Sequence, residues 1–502
     1  MDSGRNRPAS AFAALGIEGL DEVLQGGLAR DRTFLLEGKP GTGKTTIAIQ
    51  FLLEGRRLGE RGLYITLSET TDELIAGAKS HGWSLEGIEV FELLPQENLL
   101  DEEQQQSLLY SSDLELGETT RRIFEAFDAA RPDRVVLDSL SEIRLLAQSS
   151  LRYRRQILAL KHFFAKRHVT VLLLDDLTTE VNDKTVHSIA HGVLRLEELA
   201  PDYGADRRRL KVVKYRGQAF RGGFHDFVIE PGGVRVFPRL VSAEHKTGFK
   251  REVLKSESEE LNALLGGGVH RGSSVLALGP AGSGKSILVL TFIANAIKRG
   301  EKAAIFLFDE ELGLLIERSK GLNLDVEKMV ETGLLTIQQV DAAELSPGEF
   351  AQRVRRSIDD GAQSVVIDSL NGYQSAMPEE HALNLHMHEL LQYANRQGAT
   401  TFLTVAQHGM VGDVKSPVDL TYLADTVILL RYFEASGRVR RAISVMKKRT
   451  GKHEDTIREY MIGKRGLTLG EPLVNFHGVL RGVPVLTGDS PSSLLQSEGD
   501  AR

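Results

Sequence analysis

Short unbroken apolar blocks recur along this chain, each stopped by glycine or acid. Thr33-Phe34-Leu35-Leu36 and Ser274-Val275-Leu276-Ala277-Leu278 predict buried strands that run into glycines. After each glycine stretch the pattern changes to a helical one, from Thr46 to Leu53 and from Ile287 to Ile297. Further blocks predict more strands: Leu63 to Leu67 and Ala304 to Phe308, Arg134 to Leu137 and Ser364 to Ile367, Val169 to Leu174 and Thr400 to Val405. The blocks come in pairs. Gly26-Gly27 lies twelve residues before Gly38, and Gly267-Gly268 lies twelve before Gly279. Most pairs are offset by 241, falling to 230 from Asp138 and Asp368 onward, so the first copy carries eleven more residues. Much of that excess is placed in Glu97 to Asp113, whose Glu, Gln and Ser predict a solvated loop.

Such offsets describe a duplicated unit. Strands alternating with helical runs predict an α/β class: two tandem domains, each a mostly parallel sheet flanked by helices. The boundaries are expected at 11–240 for the first domain and 256–486 for the second, with 241–255 as a polar linker and flexible ends at 1–10 and 487–502. At 502 residues the chain exceeds one ordinary core.

The glycine stretches carry the chemistry. Gly38-Lys39-Pro40-Gly41-Thr42-Gly43-Lys44-Thr45 and Gly279-Pro280-Ala281-Gly282-Ser283-Gly284-Lys285-Ser286 both fit G-x-x-x-x-G-K-[ST], the P-loop. Chance would give roughly a few hundredths of one match in such a chain. In strand–loop–helix context, backbone N–H groups and the helix N-terminus cradle phosphate. The nucleotide-contacting set is Gly38, Gly41, Thr42, Gly43, Lys44, Thr45 and Thr46, and Gly279, Gly282, Ser283, Gly284, Lys285, Ser286 and Ile287. Lys44 and Lys285 are expected on the β/γ-phosphates of ATP, and Thr45 and Ser286 on Mg²⁺.

Asp138 and Asp368 end apolar blocks in the manner of a Walker B strand, expected beside the P-loop strand. They either share Mg²⁺, through water, or cap the next turn. Glu69 and Asp309-Glu310 end the strand after the P-loop helix. A carboxylate at that edge can polarise water, or simply begin the next helix at Thr70-Thr71-Asp72-Glu73. Lys214-x-Arg216 and Lys447-x-Arg449 place two cations on one strand face, either to reach a neighbour's γ-phosphate or as solvated charge.

Charge and composition remove other classes. There is no cysteine, hence no disulfide and no cysteine-held zinc or iron–sulfur cluster. No apolar run spans a bilayer and the start has no signal-peptide core, so a cytoplasmic location is expected. The net charge of −7 argues against a dedicated nucleic-acid binder. The clusters Arg207-Arg208-Arg209 and Arg152 to Arg155 lack interleaved aromatics apart from Tyr153, and read as surface charge.

Taken together, the lead-in glycines, both P-loops, the acids after the second strand, the Walker B strands and the Lys-x-Arg strands resemble the KaiC family of tandem RecA-like ATPases. The likeness runs over about residues 12 to 484 and includes Ala424 to Leu430 and Thr456 to Ile462. It implies a homohexamer of two stacked rings with ATP between subunits, hydrolysis in the first domain and autokinase chemistry in the second. It implies that Lys214, Arg216, Lys447 and Arg449 act on the adjacent subunit's ATP, and that Glu69, Asp309 and Glu310 are the catalytic acids. The sequence departs from the family at Ser68, where the first acid of the pair stands, and at Thr421-Tyr422, which replaces the Ser-Thr phosphosites and leaves Thr421 as the aliphatic hydroxyl. No clock-type tail follows Pro484, so signalling partners are expected rather than a circadian role. The competing readings are a RecA- or DnaB-like nucleic-acid motor and an ATP-gated scaffold with little turnover.

Overall fold

The structure is a computed structural model that describes residues 10–93, 108–177, 185–200, 204–244, 248–341, 343–375, 380–407, 421–463, 466–481 and 484–486. The expected flexible ends, apart from Ser10, and Pro417 to Leu420 ahead of Thr421, lie outside the described residues. The chain divides into two units, Met1–Arg239 and Leu240–Arg502.

In each unit a nine-stranded sheet carries the P-loop strand at its centre. In the first unit the spatial order is Ile88–Glu92, Gly62–Thr66, Arg134–Asp138, Thr170–Asp176, Thr33–Gly38, Gly192–Leu199, Arg207–Tyr215, His225–Glu230, Gly233–Phe237. In the second it is Leu335–Gln339, Lys302–Leu307, Ala362–Asp368, Thr400–Ala406, Ser274–Gly279, Thr426–Ala435, Arg438–Lys448, Arg458–Gly463, Gly466–Pro472. The order is the same. Six strands are parallel, from the outer one through the neighbour of the P-loop strand, and three antiparallel strands extend the far side. Leu35 is opposite Leu173 on one side and Val193 on the other. Ala277 is opposite Thr404 and Ile428.

These strands read as unbroken apolar blocks because both faces are covered. Phe34, Leu36, Tyr64 and Val136 face the P-loop helix Lys44–Arg57 and pack with its Ile47, Phe51 and Leu52. Leu35, Leu63, Ile65 and Leu137 face the other way, onto Ile143, Tyr153 and Ile157. Each fully buried side chain of this size contributes roughly 1.5–3 kcal/mol. The second P-loop helix, Lys285–Lys298, is buried nearly all round, as its unbroken Ile287-Leu288-Val289-Leu290 requires.

One expectation about the connections is corrected. Of the solvated loop expected over Glu97 to Asp113, residues 97–107 lie outside the described residues, and Leu108 to Asp113 instead open the helix Leu108–Ala130. Leu108-Leu109-Tyr110 opens a run with no glycine or proline until Gly117, so helix propensity carries it. Part of the stretch 241–255 is held by the second unit. The Ser242 N–H donates to Glu389 at 3.1 Å, and Val253–Leu254 pairs with Val269–His270; just before the stretch, Leu240 joins the second unit's core.

Candidate active site

Both P-loops close at the carboxyl end of the central strand. Gly43 and Gly284 precede the helix with φ of 93° and 95°, and a Cβ at either would run into Ile229 or Ile462. Only glycine satisfies both demands. Lys44 Nζ donates to the Gly38 carbonyl at 2.9 Å and the Lys39 carbonyl at 3.0 Å, and pairs with Asp176 Oδ1 at 2.7 Å. Lys285 Nζ donates to the Gly279 and Pro280 carbonyls at 3.0 and 2.8 Å. Burial pushes the Lys285 pKa down, opposed by the charge of Asp368. The residue at the place of Asp176 in the second copy is Ala406.

The expectation that the Walker B strand adjoins the P-loop strand is corrected in both units. Thr170–Asp176 and Thr400–Ala406 lie between them. The acids still reach the site. Thr45 Oγ1 donates to Asp138 Oδ2 at 3.4 Å, and the Tyr64 hydroxyl donates to the same oxygen at 2.5 Å. Burial raises the Asp138 pKa, and the Tyr64 bond opposes the rise. In the second unit Thr404 Oγ1 donates to Asp368 Oδ1 at 2.5 Å. The counterpart of Tyr64 is Ile305 and that of Thr404 is Leu174, so the two carboxylates are positioned from different strands. Both are followed by a cis peptide bond, to Ser139 and Ser369. A carboxylate and a first-turn hydroxyl within 3.4 Å form a hard-oxygen set that fits Mg²⁺. Ser286 holds the equivalent first-turn place in the second unit.

Glu69 lines a cavity of about 450 Å³ with Thr45, Thr46, Ser68 and Glu73. Its pKa is raised by burial, then by the charges of Asp138, Glu73 and Asp176, against Lys44. The helix start foreseen at Thr70 is a capping box with Glu73, so Glu69 precedes a helix and faces the site at once. The second unit's acids are separately engaged. Ser369 Oγ donates to Asp309 Oδ2, and Arg318 pairs with Glu310 at 2.9 Å. Burial raises the Glu310 pKa, Arg318 opposes it and Asp368 adds to it. Gly77 stands where Arg318 would be in the first copy.

The Lys-x-Arg cations lie at strand ends. Arg216 and Arg449 each fall one residue past Arg207–Tyr215 and Arg438–Lys448, which corrects the shared strand face. They still act together. Lys214 Nζ donates to the carbonyls of His187 and Ala190, and Arg216 to that of Ser188. Lys447 Nζ donates to the carbonyls of Thr421 and Ala424, and Arg449 to that of Tyr422, all at 2.8 Å. Lys214 carries a lowered pKa, from burial and then the neighbouring Arg216 and Lys161. Register places them at the amino end of the parallel strands. Gly192 is opposite both Phe34 and Tyr215, and Thr426 is opposite both Val275 and Lys448. Phe34 is four residues before Gly38, about 13 Å along a strand, so each pair faces away from its own P-loop. Thr421 shares that amino end.

Arg152, Arg154 and Arg155 are exposed, as expected of surface charge, whereas two arginines of the other cluster are paired within the sheet. Arg208 and Arg209 pair across strands with Glu198 and Glu197 at 3.4 and 2.9 Å. Tyr153, the one aromatic among Arg152 to Arg155, is 1% exposed.

Residue patterns did not single out Tyr64, Thr404, Asp176, Arg318 or Glu37. Buried Glu37 meets His187 Nε2 at 2.7 Å and Arg195 at 2.6 Å. One signal was available: the first copy ends two inner strands on Glu37 and Asp175-Asp176 where the second has Leu278 and Val405-Ala406.

A family model for the KaiC ATPase matches residues 13–241 and again 254–474. The circadian clock oscillator protein KaiC of Synechococcus elongatus is 30% identical over 498 residues, 95% of this chain and 93% of its own length. That of Thermosynechococcus vestitus is 29% identical over 93% and 90%. The circadian clock protein KaiC3 of Synechocystis is 28% identical over 97% of both chains. Among the described residues no helix is long and apolar enough to cross a membrane.

Proposed function

The chain belongs to the KaiC ATPase family, and from that premise we propose that it is an ATP-hydrolysing double ring, a homohexamer with ATP at the subunit interfaces, acting in cytoplasmic signalling or timing. One observation carries the ring: Lys214 and Arg216, and Lys447 and Arg449, sit at the opposite end of the sheet from their own P-loops. Cations so placed serve a phosphate only when a second copy presents it. Lys44 and Lys285 bind the β/γ-phosphates, and the neighbour's Lys-x-Arg pair completes the site. Thr45 with Asp138, and Ser286 with Asp368, hold Mg²⁺, which supplies charge neutralisation at the phosphate oxygens. Glu69 orients water for attack at the first site, and its raised pKa suits a base. Mass measurement with and without ATP and Mg²⁺ tests the assembly: hexamers are expected with both, weakened by Lys44→Ala. A monomer at micromolar concentration under saturating ATP removes the reading.

The second site is also read as an autokinase. Thr421 Oγ attacks the γ-phosphorus held by a neighbouring second P-loop. Its proton passes to Asp309 or Glu310, the phosphorus–oxygen bond to ADP breaks, and Arg449 stabilises the transferring charge. The support is placement: Thr421 lies among the carbonyls that Lys447 and Arg449 bind. Phosphopeptide mapping after incubation with ATP and Mg²⁺ should find phosphate on Thr421. Equal labelling of Thr421→Ala would move the acceptor elsewhere.

A further inference from the structure

An ammonium has three N–H donors. Those of Lys44 meet three protein acceptors: the carbonyls of Gly38 and Lys39 and the carboxylate of Asp176 at 2.7 Å. Lys285 meets two, the carbonyls of Gly279 and Pro280, among the described residues. The difference comes from one position, since Thr170–Asp176 ends on Asp176 where Thr400–Ala406 ends on Ala406. Lys44 is nearly buried, with its side chain 8% exposed, and Asp176 is 28% exposed, so solvent screens their bond only in part. A phosphate approaching Lys44 must displace one acceptor, and the only charged one is Asp176. A phosphate approaching Lys285 finds a donor ready.

We infer that Asp176 is a positioning residue that competes with nucleotide phosphate for Lys44, so that the first P-loop binds ATP more weakly and releases it faster than the second. The two rings would then divide the work: a first ring that exchanges nucleotide readily and a second that retains it. This rests on the reading above that Lys44 meets phosphate. No proton or bond changes hands; one ion pair is exchanged for another.

The test isolates one site at a time in the full chain. In a Lys285→Ala background, Asp176→Asn and Asp176→Ala should lower the dissociation constant for a non-hydrolysable ATP analogue with Mg²⁺ about tenfold, the scale of one charge-assisted hydrogen bond. Asp176→Glu should restore part of the weaker affinity. In a Lys44→Ala background, the reciprocal Ala406→Asp should raise the constant by a similar factor. An unchanged or raised constant in both Asp176→Asn and Asp176→Ala overturns the inference. The double variant Lys44→Ala/Lys285→Ala separates this from the underlying reading. Retained binding there removes the P-loop assignment and the inference with it. Lost binding there, with no change at Asp176, removes the inference alone.

Discussion

Two copies of one backbone plan hold their charges differently. The strand order, the positive-φ glycine before each P-loop helix and the cis bond after each Walker B acid all recur. The side chains around them do not. In the first unit the inner strand ends carry Glu37, Asp175 and Asp176, paired with His187 and Arg195, with Arg144, and with Lys44. In the second unit Leu278, Val405 and Ala406 fill the same places. Buried ion pairs cost desolvation that apolar neighbours avoid, so the ionic ends of the first unit are weak evidence for stability and better evidence for tuning of its site. Duplication kept the topology, because a sheet covered on both faces tolerates no change of register, and left the electrostatics of each edge to diverge.

The largest effect should come from the lysines. Lys44→Ala/Lys285→Ala should abolish ATP turnover, while each single variant lowers it and reports the rate of the remaining site. Wild-type turnover in the double variant would show that neither P-loop hydrolyses ATP.

The supports of the Walker B acids come next. With the other site silenced, Tyr64→Phe at the first and Thr404→Val at the second should each lower kcat about tenfold with little change in KM, as expected when a buried carboxylate loses the hydrogen bond that orients it. Equal loss from either substitution at both sites would dissolve the comparison.

A pH profile sharpens it further. Glu69 and Glu310 both have raised pKa values, burial first, but only Glu310 has an opposing arginine. A base works above its pKa, so activity at each site should fall on acidification at a higher pH than an ordinary carboxylate gives. Removing the cation in Arg318→Ala raises Glu310 further and should move the acid limb of the second site upward, leaving the first unmoved. A stationary limb at the second site would show that Glu310 is not its base.

The smallest effect concerns stability. His225 is buried and neutral, with Nδ1 accepting from Arg239 N–H at 2.8 Å and Nε2 meeting the Arg221 carbonyl at 2.9 Å. Burial lowers its pKa from 6.5 to about 4. The unfolded chain therefore takes up the proton first as pH falls, so the stabilisation is intact above pH 6.5 and lost progressively toward pH 4. Its loss is on the order of 1–3 kcal/mol. The second unit has Arg458 at this place, in the strand that packs Ile462 on Gly284 as the His225 strand packs Ile229 on Gly43. Thermal melts between pH 7 and 4 should show the first unit weakening with acid, and His225→Gln should flatten that dependence.

The sequence by itself determined the duplication, the α/β class, both P-loops and the acids and cations at recognisable offsets. These are local facts. A strand–glycine–helix pattern is written in consecutive residues, because backbone conformation and side-chain period are set within a few positions. Only the tertiary structure decided which strands are neighbours and which side chains converge. It set Thr170–Asp176 between the Walker B and P-loop strands, and so brought Asp176 to Lys44 across 132 positions of chain. It brought Tyr64 rather than Thr45 alone to Asp138, gave Glu310 to Arg318, and carried the Lys-x-Arg pairs to the edge away from their own nucleotide site. Those contacts depend on sheet order and register. Both are fixed by packing of the whole core over distances at which sequence spacing carries no geometric information.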